Sequence, residues 1–275
     1  MTERSGERGS AAVAASLAIF LVLMVGITLY FFLAKTWWYP PPINDFGREI
    51  DAQFTRTFII TGIVFVASQL GLAWLVWRYR ANGGRVSHFE GNNTMEAVWT
   101  TATIVLFVGL GLFGRAAWAQ LHFEAIPQDA MVIEVTGKQF NWIFRYPGAD
   151  GVFGRTAPEF VDETNQVGID PKDPAGQDDV VTLTLGVPVG REIKLIEKSQ
   201  DVTHGFFVRE LRLKQDALPG MAIPVHFHID PDKAGGEYEI ACTQLCGSGH
   251  HRMRATLKAM TEADFEKWLA NEKAQ

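Results

Sequence analysis

The sequence predicts a membrane-anchored all-β protein, with transmembrane helices in residues 1–118, one β-rich domain in residues 119–275 and a short helix closing the chain. Three observations predict it. Long uncharged apolar runs are confined to the first part, short alternating or β-branched runs recur through the second, and the only two cysteines stand close together near the end. At 275 residues and 47% hydrophobic content the chain allows about one or two domains, and the uneven spread of its apolar residues separates the two parts. A net charge of −6 argues against a nucleic-acid partner, because phosphate binding calls for a basic surface. An acidic exposed domain suits a basic protein partner.

The first span is residues 11–34. Nothing between Gly9 and Ala34 is charged, and about 20 apolar residues suffice to cross a bilayer as a helix. A cleaved leader is the competing reading, since Arg4 and Arg8 supply a positive start. Its apolar region would normally be about 7–15 residues, and no Ala-x-Ala site closes the run before Lys35. Trp37, Trp38 and Tyr39 form an aromatic belt at the interface, and Pro40, Pro41 and Pro42, which lack backbone donors, end any helix. The second span covers residues 57–77. Arg78, Arg80 and Arg85 follow it and put that loop in the cytoplasm. The third, residues 97–117 with Trp118 as an anchor, must cross outward, so the chain beyond about residue 119 lies outside the cytoplasm. Glu96 stands at the cytoplasmic mouth of this helix. There a carboxylate is stabilised by the helix dipole and is also chemically apt for proton uptake.

In the external part the candidate strands are 131–136, 140–146, 180–185, 192–196, 223–229, 237–241 and 253–257. Short strands with turn signals between them predict a sandwich or barrel. Residues 147–179, rich in Pro, Gly and Asp, break the rhythm and read as a surface excursion. Thr261 opens the closing helix in capping fashion, and its stripe of Phe265, Trp268 and Leu269 is expected to pack on the barrel. His226 and His228 face away from Val225, Phe227 and Ile229 and read as surface residues. His88 and His122 have no partner ligands nearby in sequence and read as interfacial.

Close to the C-terminus stands Cys242-Thr-Gln-Leu-Cys246-Gly-Ser-Gly-His250-His-Arg-Met253. Two cysteines in an exported domain are commonly a disulfide, and a nearby methionine is commonly core filler. No catalytic-cysteine signature surrounds them. Two thiolates, an imidazole and a thioether within twelve residues also form a soft ligand set. Zinc takes its four ligands from Cys and His and is poorly served by a thioether, so copper is favoured. One copper would leave a sulfur spare. Two coppers bridged by the thiolates would each want a histidine, and the candidate for the second is His204 in Asp201-Val-Thr-His204. No Cys-x-x-Cys-His occurs, so the chain carries no covalent haem.

Asp201-Val-Thr-His204, followed about forty residues later by the Cys-x3-Cys-x3-His-x2-Met loop, resembles subunit II of the haem-copper cytochrome c oxidases. The likeness runs over about residues 55 to 270 and includes Asp216-Ala-Leu-Pro-Gly220 and the aromatic run Gly137 to Tyr146. It implies a cupredoxin-like Greek-key β-barrel holding a binuclear copper A centre. Two copper ions would be bridged by Cys242 and Cys246, with His204 and His250 as terminal ligands, Met253 as a weak ligand and the main-chain carbonyl of Gln244 completing the set. The family spacing selects His250 over His251. The implied setting is a bacterial inner membrane, crossed several times, with the copper domain facing the periplasm or exterior. The implied partners are oxidase subunit I, the other oxidase subunits and cytochrome c as donor. Electrons would pass to haem in subunit I, where oxygen is reduced to water and protons are pumped, so no catalytic residue is expected in this chain.

Several positions depart from the family pattern or carry secondary roles. Position 244 is usually Glu in the family and helps bind magnesium at the border with subunit I, a role Gln244 leaves open. Phe140 stands where the family typically has the Trp that receives the electron, and Trp142, two residues on, is the alternative. Glu96 matches a Glu at the entrance of a proton channel. Thr103 replaces a common Pro, and Asp201 and Asp216 are candidates for docking a basic donor. A membrane-anchored copper chaperone or electron carrier is the rival function, but a chaperone would show one membrane helix and a thioredoxin-like αβ pattern. A quinol oxidase subunit would lack the copper ligands, and nitrous oxide reductase needs a propeller domain that this length cannot hold.

Overall fold

A computed structural model of the chain describes residues 11–35, 39–80, 91–123 and 125–274. Arg4, Arg8, Trp37, Trp38, Arg85 and His88, with the side chain of His122, lie outside the described residues. The chain divides into two compact units, Met1–Trp38 with Ala52–Gly114, and Tyr39–Asp51 with Arg115–Gln275.

The first unit holds α1 (Ala11–Ala34) and most of α2 (Asp45–Arg78) and α3 (Asn93–His122), three helices long and apolar enough to cross a membrane. Large apolar side chains such as Phe20, Ile63 and Phe107 are exposed along them, as suits a lipid solvent. The second helix begins well before the expected residue 57, because the Asn44 side chain caps it by accepting from the Gly47 amide at 2.8 Å. Its first turns are polar and belong to the second unit. The third begins where the Asn92 carboxamide accepts from the amides of Thr94 and Met95.

The second unit is a sandwich of two five-stranded sheets. Its strands are β1 (Met131–Lys138), β2 (Asn141–Tyr146), β3 (Val180–Thr182), β4 (Thr184–Pro188), β5 (Ile193–Ser199), β6 (His204–Val208), β7 (Leu213–Ala217), β8 (Ile223–Phe227), β9 (Glu237–Cys242) and β10 (Arg254–Met260). One sheet runs β3-β2-β1-β5-β8 and the other β4-β10-β9-β6-β7. The β1–β5 and β4–β10 pairs are parallel and the rest antiparallel, so the chain crosses between the sheets as in the expected cupredoxin-like fold. Ile133, Val135 and Phe144 from one sheet meet Leu185, Phe206, Val208 and Leu257 from the other in a single core. Helix α4 (Glu262–Lys273) starts at Thr261, whose hydroxyl accepts from the Asp264 amide, and lays Phe265 and Trp268 against Tyr146.

Three expectations need correction. The run 180–185 is two strands, broken at exposed Leu183, with β3 in one sheet and β4 in the other. The hairpin β6–β7 lies outside the expected strands; its turn closes on Arg212, which adopts φ 57°. His226 and His228 are not free surface residues. Glu192 takes His226 Nδ1 at 2.6 Å and His228 Nδ1 at 3.3 Å, and Phe46 packs edge-on against the His226 ring, leaving His226 only 6% exposed. Strand alternation assigns these histidines a face but does not reveal that residues 39–51 cover it.

Residues 147–179 lie as an ordered cover pinned by Arg145. That buried guanidinium is ion-paired to Asp179, reaches Glu134 at 3.1 Å and donates to the Gly154 carbonyl at 2.5 Å. Asx turns at Asp162 and Asp173 hold the bends further along.

Candidate metal centre

Neighbouring strands bring the soft ligands together. The first residue of β6 is His204, the last of β9 is Cys242, and these two strands pair with Phe206 opposite Cys242. The loop from Cys242 to Met253 is closed at its base by the Cys242 amide donating to the Met253 carbonyl at 3.1 Å, and it is tied to β6 by the Thr243 amide on the Gly205 carbonyl at 2.9 Å. Backbone bonds from His250 to Gly247 and from Met253 to His250 curl the second half inward.

The ligand atoms of His204, Cys242 and Cys246 lie within 4.8 Å of one another, all three residues buried. The two Sγ atoms are 3.9 Å apart and unbridged. Cys246 Sγ also lies 3.6 Å from His250 Nδ1 and 3.8 Å from Met253 Sδ, while the Gln244 carbonyl is 3.2 Å from Cys242 Sγ. In the short turn His250–Arg252 it is His250 that faces the thiol, and His251 is exposed.

His204 is set for a ligand's task. Its Nε2 bonds to the Asp201 carboxylate at 2.7 Å, whereas its Nδ1 is buried with no hydrogen-bond partner. A carboxylate on the far nitrogen fixes the tautomer and raises the basicity of the near one. Gly137 makes room for the ring: a Cβ there would come within 2.8 Å of His204 Cδ2. Burial pushes Asp201 up, but the Gln139 amide, the His204 ring and the Val202 amide outweigh it and hold the carboxyl below its usual range. Burial, then the neighbouring Cys242, push the Cys246 thiol up to about 11. That proton would leave on metal binding. Two thiols, two imidazole nitrogens, a thioether and a carbonyl around one buried point, with one nitrogen unpartnered, fit a soft metal such as copper.

The other predicted residues fall apart from this set or take different parts. Phe140 lies in the turn between β1 and β2, half-buried, with its ring against Gly247 and Gly249 of the ligand loop. Trp142 is on β2 and 0% exposed, edge-on to His204 at 5.9 Å and to Phe206 at 5.3 Å. Although two residues apart, Phe140 and Trp142 do not share a strand face, because Phe140 precedes β2. Asp201 is turned to His204 and the Gln139 amide at 2.7 Å, and Asp216 is paired with Lys214 at 2.6 Å. Glu96 is exposed in the first turn of α3. Sequence reasoning missed Gln139, whose side chain donates to the Cys246 carbonyl at 2.5 Å. Spacing along the chain carries no sign of which turn meets the ligand loop.

A membrane-anchored protein with a cupredoxin-like domain and a buried cluster of soft ligands is the class that fold and site define. Residues 131–260 match the family described as cytochrome C oxidase subunit II, periplasmic domain. The chain is 35% identical over 261 residues to the alternative cytochrome c oxidase subunit 2 of Bradyrhizobium diazoefficiens, covering 94% of this chain and 92% of that one. It is 26% identical to cytochrome c oxidase subunit 2 of Cereibacter sphaeroides, over 77% of this chain and 72% of the other. Among solved structures, the periplasmic domain of subunit II of cytochrome oxidase from Bradyrhizobium japonicum matches with 25% identity and a TM-score of 0.40, covering 55% of this chain and 98% of that one. The chain belongs to the cytochrome c oxidase subunit II family.

Proposed function

We propose that this chain is the electron-accepting subunit of a proton-translocating cytochrome c oxidase, taking single electrons from a reduced cytochrome c at a binuclear copper A centre and passing them to haem in subunit I. Oxygen is reduced to water, and protons are pumped, in the partner subunit. The observation that carries the reading is the pair of unbridged, buried thiols 3.9 Å apart with His204 Nδ1 left unpartnered beside them.

Cys242 and Cys246, with His204 and His250 through Nδ1, the Met253 thioether and the Gln244 carbonyl, would hold the copper pair. Held there, copper would supply one-electron redox chemistry. The chain supplies rigidity: Asp201 holds the His204 tautomer, and the sheets keep the ligand loop from rearranging when charge changes. Phe140, half-exposed over the loop, is the residue through which the electron arrives, and buried Trp142 packs behind His204. Asp216 contributes to docking a basic donor, while Asp201 serves the ligand. Magnesium stays outside this reading, since Gln244 offers an amide where a hard cation prefers a carboxylate.

In this reading residues 1–118 cross a bacterial inner membrane three times and residues 119–275 lie in the periplasm or exterior, with Glu96 at the cytoplasmic mouth of a proton path. Residues 39–51, which follow α1 and include the first turns of α2, pack into the β unit through Ile43 and Phe46. They therefore lie on its side of the membrane, as three alternating crossings require. An all-β domain behind three apolar helices also disfavours a thioredoxin-like chaperone.

The test is electron paramagnetic resonance with copper quantitation on the detergent-solubilised chain. Two coppers sharing one unpaired electron, lost in Cys242→Ser and Cys246→Ser, are expected. One copper with an ordinary cupric spectrum would make this chain a single-copper carrier or a chaperone instead.

A further inference from the structure

Gln139 sits in the exposed turn between β1 and β2, yet both of its nitrogens are spent on the metal centre. Its backbone amide donates to Asp201 Oδ2 at 2.7 Å, and the other oxygen of that carboxylate holds His204 Nε2 at 2.7 Å. Its side-chain amide donates to the Cys246 carbonyl at 2.5 Å. One residue thus reaches the two chain segments that carry the ligands, from a third segment that carries none.

We infer that Gln139 is a positioning residue of the centre, locking the Cys246 peptide to the His204 side of the site; the inference rests on the copper A reading. The Cys246 carbonyl belongs to the peptide that enters Gly247, which adopts φ 141°, a region other residues rarely visit. Without a partner that peptide is free to rotate about a glycine. The turn of Cys246 decides where its Sγ points, and that sulfur is the atom nearest Cys242, His250 and Met253 at once. Fixing one carbonyl therefore fixes three ligand distances. The fit is close on both sides, since a Cβ at Gly247 would come within 2.8 Å of the Gln139 amide nitrogen. Gln139 touches no ligand atom, so it acts through the loop.

The test compares Gln139→Glu, Gln139→Leu and Asn141→Ala with the wild-type full chain in detergent. The Glu variant keeps the length and the backbone bond to Asp201 but replaces the donor with an acceptor facing a carbonyl. The Leu variant removes the polar end, and the Asn141 variant changes the same turn without touching the loop. With copper in excess all should hold two coppers per chain. Both Gln139 variants should then hold copper about 10–100-fold more weakly against a competing chelator, as loss of an outer partner does at metal sites, with altered hyperfine splitting and thiolate absorption. Asn141→Ala should match wild type. Wild-type spectrum and copper retention in both Gln139 variants would overturn the inference, as would the same change in Asn141→Ala, which would assign the effect to the turn as a whole. If the wild-type chain itself fails to take up two coppers, the copper A reading has failed, which is a different result.

Discussion

His204 and Glu197 are both fully buried and each keeps polar atoms without partners, but the consequences run in opposite directions. The unpartnered Nδ1 of His204 is the atom that the proposed metal centre would use. Crowding it is the direct test: Gly137→Ala should push the ring off its position and weaken copper binding at least tenfold in a titration. The fold should lose only the roughly 1–3 kcal/mol typical of overpacking. Glu197 lies on the inward face of β5 with Ile193 and Leu195, and neither carboxylate oxygen has a partner. Burial, then the negative Asp216, raise its carboxyl well above the ordinary 4.5, with Lys214 opposing. A raised folded value means that stability is fully present below about pH 4.5 and falls as pH rises, while the unfolded chain alone releases the proton, by up to about 1.4 kcal/mol per pH unit. Glu197→Gln should therefore flatten the decline of melting temperature as pH rises above about 4.5. An unchanged slope would show that Glu197 does not carry the proton. The alternation Ile193, Leu195, Glu197 is legible in the sequence, but a charged residue at that point reads as the end of the strand.

Among the elements, those with a strong local signal are readable: three apolar helices, most strands and the capped closing helix. The ligand loop is readable because four soft side chains at fixed spacing have few other uses. Tertiary decisions are not. Val180 to Leu185 carries one continuous β pattern, and only the exposed bend at Leu183 reveals that the chain changes sheets there. The segment 147–179 has the composition of a loose excursion, yet it is anchored by Arg145, a residue inside an aromatic strand that gives no warning of its partners. Replacing Arg145 by Leu would leave Asp179 buried and uncompensated, a change that costs about 3–5 kcal/mol. Arg155, 75% exposed and paired to Asp170 and Asp173, offers the comparison, with an expected loss of no more than about 1 kcal/mol on truncation to Ala. Chemical denaturation should separate the two variants, and limited proteolysis should cut Arg145→Leu first within 147–179. Equal stabilities would mean that the segment is held by its turns rather than by the buried guanidinium.

At the scale of the whole chain, the sequence divides at about residue 118 by hydropathy, whereas the β unit takes in a piece from much earlier. Ile43 joins its core at 4% exposure, Phe46 packs on His226 of β8 and on His228 just beyond it, Arg48 pairs with Asp230, and Asp51 holds Arg212 through two bonds of 2.8 Å. Three prolines, Pro40 to Pro42, near the start of this piece give it the look of a linker, and only the apolar pair Ile43 and Phe46 points otherwise. Residues 119–275 expressed alone would expose the surface these two side chains cover. Burying such residues contributes about 1.5–3 kcal/mol each, so that fragment should be less stable than one carrying residues 39–51 on a flexible linker by about 3–6 kcal/mol. The attachment point is far from the metal ligands in the fold, since Phe46 and Asp51 meet β8 and the β6–β7 turn rather than the loop after β9. Copper should accordingly raise the melting temperature of both fragments by a similar amount, the increment depending only on copper concentration and affinity. A fragment of 119–275 that melts with the longer one would show that residues 39–51 rest on the β unit without supporting it. A copper increment seen only in the longer fragment would show that the segment shapes the ligand loop from a distance.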